Sequence, residues 1–182
     1  MPRLLDTKLL QDLERRWHDL DTSMPSRMKP GLQDIDIDRN AAPLGVVLPD
    51  EVRRLYRWHD GSGRATMIWH RGMSSLKQAV TRTREFREDD EEWQPGWLNI
   101  MDERPYVAVD CSVGLEDPVP VWHYGYDWPD PTRPVFASIG DMVAFWIELI
   151  DGGLMYWDDP QWKISDSMPN EMLEKLSGVP SD

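Results

Sequence analysis

The stretch from Leu48 to Gly63, LPDEVRRLYRWHDGSG, constrains the fold of this chain more than any other. It carries a start signal, one apolar helical face and a stop signal within a few turns. Leu48 precedes a proline and is pushed towards extended backbone. Pro49 suits the first helical position, where its missing N–H is not needed. Asp50 and Glu51 fall in the first turn, beside the positive end of the helix dipole. At about 100° per residue, Val52, Leu55, Tyr56 and His59 share one arc. Arg53, Arg54 and Arg57 fall opposite it and are expected to face water. Asp60 and Gly61 close the helix, with Gly61 free to take a left-handed cap conformation. A helix this short forms only if a neighbouring element covers its apolar face.

The rest of the chain supplies such neighbours. Residues 6 to 20 read as a helix, with Leu9, Leu10, Leu13, Trp17 and Leu20 at helical spacing. Asp34, Ile35, Asp36, Ile37 and Asp38 alternate strictly, which predicts a short strand with both isoleucines inward. A calcium loop starting at Asp34 would need Gly sixth and Glu twelfth, where the chain has Arg39 and Gly45. Thr66 to Trp69 reads as a strand. Ser75, with Gln78 three residues on, forms a capping box for a helix through Leu76, Ala79, Val80 and Thr83, with Phe86 at the edge of its apolar arc. Glu88 to Glu92 is a run of five acids, expected as a solvated loop.

Trp97–Met101, Tyr106–Cys111 and Val119–Tyr124 are strand-like runs and are expected as antiparallel neighbours. Ser138 caps a helix through Ile150 that is apolar nearly all round, the most buried helix expected. Gly152 and Gly153 end it. Leu154–Trp157 reads as a strand, and residues 169–177 as a short terminal helix.

These motifs resemble, in order and spacing, those of the SUKH superfamily, which includes fungal cell-wall-synthesis regulators and many bacterial immunity proteins. The resemblance rests on the Leu48–Gly63 motif, Ser75-Leu76 opening the next helix, and Trp97-Leu98 with Ile100 as a following strand. Ser138 to Gly153 as a late helix with a glycine end completes it. It covers roughly residues 40–160, strongest there, and leaves residues 1–40 as an N-terminal extension of unknown role. Asp60 stands where many relatives have Asn, a change that suits the same turn chemistry. The resemblance implies a single α+β domain over 1–182, a mainly antiparallel sheet covered by helices, and binding without catalysis. In bacteria, similar proteins neutralise a toxin by binding it; in fungi, they act as regulatory scaffolds.

Charge sharpens this expectation. Residues 1–90 hold sixteen Lys and Arg against fifteen Asp and Glu, whereas residues 91–182 hold four against eighteen. Nearly the whole net charge of −13 therefore lies in the second half. Such a field repels nucleic acid and anionic membrane and attracts basic partners. No run of eighteen apolar residues is present, and MPRLLDTKLLQDLERR is too charged for a signal peptide. With the single Cys111 expected as a small buried hydrophobe, the chain reads as cytoplasmic.

No pattern carries catalysis or a cofactor. The histidines His18, His59, His70 and His123 show no metal-ligand spacing, and no phosphate loop or nucleophile elbow occurs. His59, on an apolar helix face, is expected as a satisfied core residue. The adjacent acids Asp158-Asp159 after Trp157, or Glu116-Asp117, could be imagined as a glycosidase acid and base. Polar loops, however, give no reason for two carboxyls to differ in pKa. We expect no enzyme, no metal and no cofactor. The partner surface is expected around Asp127, Trp128 and Asp130, around Trp157, Asp158 and Asp159, and at Glu116 and Asp117. In the first two segments acids flank an aromatic anchor and prolines limit the entropy lost on binding. The expected partner is a basic toxin domain, with a regulatory scaffold or a carbohydrate-active enzyme as alternatives. The run Glu88 to Glu92 is the next surface to consider.

Overall fold

The computed structural model describes residues 1–63, 65–68, 71–101, 104–125, 133–158 and 161–177. The helices are α1 (Thr7–Asp19), α2 (Met24–Arg27), α3 (Asp34–Ala41), α4 (Asp50–Trp58), α5 (Leu76–Asp89), α6 (Ile139–Asp151) and α7 (Asn170–Ser177). Strands β1 (Trp97–Met101), β2 (Tyr106–Asp110) and β3 (Val121–Tyr124) form one antiparallel sheet in that order. Strands β4 (Met155–Asp158) and β5 (Gln161–Ile164) form a hairpin. The architecture is α+β.

The α4 helix sits where the sequence places it, with Val52, Leu55 and Tyr56 buried. Pro49 is its N-cap rather than its first helical residue. His59 has already left the helix into extended backbone, so it does not share the apolar arc. It is held instead by Lys29 O, 2.8 Å from Nδ1, and by Glu14, 2.9 Å from Nε2. Gly61 takes φ +90°, and a Cβ there would lie 2.7 Å from Ser75 N. The neighbouring Asp60 reaches across to accept the Leu76 N–H at 2.8 Å, joining the end of α4 to the start of α5.

Two predicted strands are not found among the described residues. Residues 34–38 are helical: Ile37 and Ala41, four apart, are buried, while Ile35 is 67% exposed. Asp34 and Asp38, also four apart, face Arg53 and Arg57 of α4. Alternation of Asp and Ile fits a strand locally, but pairing with arginines from another element favours the helix. Arg53 is consequently turned away from water, with only 15% of its side chain exposed. Between 65 and 68 the backbone makes a single bridge, Ile68 to Arg71, in place of a strand; Trp69 and His70 lie outside the described residues.

Residues 1–40 join the same core. Leu5, Leu9, Leu10, Leu13 and Trp17 pack in one cluster with residues as distant as Leu176. Trp17 stacks on Trp58 at 5.6 Å, and the Trp58 Nε1–H donates to Glu14 at 2.8 Å. The α6 helix, apolar nearly all round, lies against α1, α4 and β4. At its start the chain comes so close that a Cβ on Gly140 would lie 2.1 Å from Arg3 O.

Glu51 lies at this junction. It is 2% exposed, and its carboxylate accepts the N–H groups of Leu5 (2.5 Å), Val119 (2.6 Å) and Gly140 (3.0 Å). One acid thus ties together the N-terminal segment, the entry to β3 and the start of α6. Among the described residues no helix is long and apolar enough to cross a membrane.

Candidate functional site

The three-stranded sheet has two unlike faces. Leu98, Ile100, Val107, Val109 and Val121 point into the main core. On the other face Trp97, Tyr106, Ala108, Trp122 and Tyr124 follow from strand alternation and the register Tyr106↔Tyr124 and Ala108↔Trp122. Trp97, Ala108, Trp122 and Tyr124 join Trp93 and Phe86 in a second, aromatic cluster, and Tyr106 meets it at Phe86. The small Ala108, on the central strand, lets Trp97 of β1 approach Trp122 of β3 to 5.3 Å. Trp93 meets Trp97 and Tyr124 edge-on at 5.4 and 5.2 Å, and Phe86 lies 4.6 Å from Trp93 and 4.9 Å from Tyr106. These separations suit attraction between ring edges and faces.

Beside this cluster runs α5. Thr83 accepts the Asn99 N–H at 3.0 Å, fixing the helix along the β1 edge. Further on, Arg87 donates to Leu44 O and Pro95 O, securing the helix end. Between α5 and the aromatic face lies a groove of about 820 Å³. Phe86, Tyr106 and Tyr124 line it, and Glu85, Asp89, Asp90, Glu91 and Glu92 border it opposite Arg104. The run Glu88 to Glu92 is therefore a loop only in part: Glu88 and Asp89 finish α5. Asp90 is half-buried and accepts the Tyr124 O–H at 2.5 Å, so it shapes the groove; Asp89, Glu91 and Glu92 are exposed.

The face already holds guanidinium groups. Arg82 and Arg104 place Cζ 5.9 and 5.7 Å from the Tyr106 ring centroid, and Arg104 Nε donates to the Tyr106 hydroxyl at 3.3 Å. Both distances fall within cation–π reach.

The sequence-predicted surface is placed only in part. Asp127, Trp128, Asp130 and Asp159 lie outside the described residues. Asp158 is exposed at the end of β4. Trp157 is half-buried, packed on the main core and 5.5 Å edge-on from Trp162, so most of its ring serves packing. Glu116 and Asp117 are exposed in the loop from β2 to β3. Asp117 accepts the Gly114 N–H at 3.2 Å, and Leu115 O accepts the Asp50 N–H at 2.8 Å, docking this loop on the start of α4. Sequence reasoning missed the groove. Its signal was present in Trp122 and Tyr124 two apart, with Trp97 and Tyr106 in neighbouring runs and acids just before them.

Three other polar groups are structural. His123 is buried on the core face, its Nε2 3.2 Å from Arg71 Nη1. Burial, then the Arg71 charge, hold the imidazole well below its usual range. Burial lowers Arg71 itself to about 10, and its Nη2 donates to Ser177 O at 2.5 Å. Cys111 is buried just past β2, as expected, and burial chiefly, with Asp110, pushes its thiol up to about 12, so it stays protonated. Among the described residues no cluster of His, Cys, Asp and Glu is placed to hold a metal ion.

Compared with known proteins, the chain matches a family model described as the SMI1 / KNR4 family (SUKH-1) over residues 31–144, from the approach to α3 into α6. No curated protein matches the sequence.

Proposed function

The chain belongs to the SMI1 / KNR4 family (SUKH-1), and from that premise we propose that it is a non-catalytic binding domain that neutralises a basic toxin domain by direct contact. The observation that carries this reading is the placement of charge. The acids of the second half that are described at Glu91, Glu92, Glu116, Asp117 and Asp158 all lie exposed. Exposed carboxylates of one sign accelerate encounter with a basic surface and suppress acidic competitors. A nuclease domain, whose own surface attracts phosphate, is the class of toxin this charge complements. The protein acts cytoplasmically in this reading, before a toxin reaches its target.

The test is to look beside this gene for one that encodes a secreted protein with a basic, toxic C-terminal domain, and to express that domain with and without the present chain. Restored growth and a stoichiometric complex whose association slows as salt rises are expected. Restored growth with no complex would contradict neutralisation by binding. A complex without protection would favour a regulatory scaffold. Glycan hydrolysis lost on Asp158→Asn would point to an enzyme.

A further inference from the structure

We propose that the groove between α5 and the aromatic face of the sheet receives an arginine-bearing segment of a protein partner. This rests on the binding reading above and adds to it a place and a chemistry. The groove combines two features that a guanidinium needs together. Its floor presents the rings of Phe86, Tyr106 and Tyr124, and its border presents Glu85, Asp89, Glu91 and Glu92 as exposed carboxylates. A guanidinium stacks on the first and forks to the second, whereas an ammonium is a compact, strongly hydrated point charge. The Tyr106 ring already takes two guanidinium groups of this chain, which shows the face is suited to them.

Charge complementarity decides against other occupants. Five carboxylates and one arginine line the groove, so an acidic or purely apolar segment would leave like charges crowded and unpaired. The carboxylates are strung along a helix end and a turn rather than converging on a point, and no metal-holding cluster is found among the described residues. Such spacing suits several donors along an extended chain. The volume of about 820 Å³ leaves room for more than one side chain.

The probe is a blocked hexa-arginine peptide titrated into the full chain, read by calorimetry and by fluorescence of the tryptophans beneath the groove. Hexalysine and hexaglutamate serve as comparison. Glu85→Gln, Asp89→Asn, Glu91→Gln and Glu92→Gln combined should weaken hexa-arginine about tenfold or more. An equal charge change elsewhere (Asp19→Asn, Glu148→Gln, Asp166→Asn and Glu171→Gln) should cost less than about threefold. Hexalysine should bind several-fold more weakly than hexa-arginine, and Tyr106→Leu should narrow that gap. Equal losses in the two fourfold variants, or equal binding of the two basic peptides, would overturn the proposal. Because the probe is a peptide, binding with no toxin neutralised would sink the immunity reading alone. Neutralisation that survives the groove variant would sink this site alone.

Discussion

Around α4 the described acids meet donors supplied by the fold, whereas along the groove several carboxylates face a single lining arginine. Glu51 accepts three backbone N–H groups, Asp34 and Asp38 hold Arg53 and Arg57, and Asp60 caps α5. On the groove, Asp90 is engaged by Tyr124, but Glu85, Asp89, Glu91 and Glu92 stand exposed on one border. Acidity alone is therefore uninformative; what matters is whether the chain provides the complementary donor. The first group contributes to holding the fold. The second, on the reading proposed above, contributes little to folding and is left to a partner.

The comparison breaks most readily at Glu51. Glu51→Ala removes the acceptor from three N–H groups in a buried junction, and should cost on the order of 3–5 kcal/mol by urea unfolding. A cost below about 1 kcal/mol would mean that water or repacking replaces the carboxylate easily. Leu55, 1% exposed on the covered face of α4, comes next. Leu55→Ala should cost about 3 kcal/mol through lost burial and the remaining cavity. Arg54→Ala should cost much less, although it removes the bond from Nη1 to Leu5 O at 2.9 Å. Equal midpoints for these two variants would mean the helix is anchored by its polar rather than its apolar side.

A smaller effect is expected at Asp34. Hydrogen bonds from Arg57, then Arg53, hold its carboxyl below the usual carboxylate range despite some opposing desolvation. A depressed folded pKa adds stability that is present above the unfolded value of 3.8 and is lost as pH falls through the folded value. Asp34→Asn should therefore lower stability slightly at neutral pH and flatten its decline in acid. Superimposable acid limbs for variant and wild type would show that the Arg53–Asp34–Arg57 bridge is only a surface contact.

The same contrast explains what could be read from the sequence. The positions of α1, α5 and α6, and nearly all of α4, were legible because caps and apolar arcs are local: Ser75 and Ser138 each cap within three residues, and α1 shows its arc of leucines and Trp17. The three antiparallel strands were legible from their apolar runs. Residues 34–38 were misread because two-residue alternation looks the same until Arg53 and Arg57, some twenty residues later, fix which acids must share a side. The groove was hidden for a related reason. Trp97, Tyr106, Trp122 and Tyr124 share one face only through strand register, and Asp89 to Glu92 border the groove beside it only because α5 runs beside β1. Glu51 was read as a dipole partner, since nothing near it in sequence announces Leu5, Val119 and Gly140.

The most direct test of the central contrast is thermal unfolding of the fourfold groove variant (Glu85→Gln, Asp89→Asn, Glu91→Gln and Glu92→Gln) at low ionic strength. If these carboxylates are not part of what holds the fold together, relief of like-charge repulsion leaves Tm equal to or above that of wild type. A fall of more than about 4 °C would show that the fold already supplies their partners, and would contradict the account.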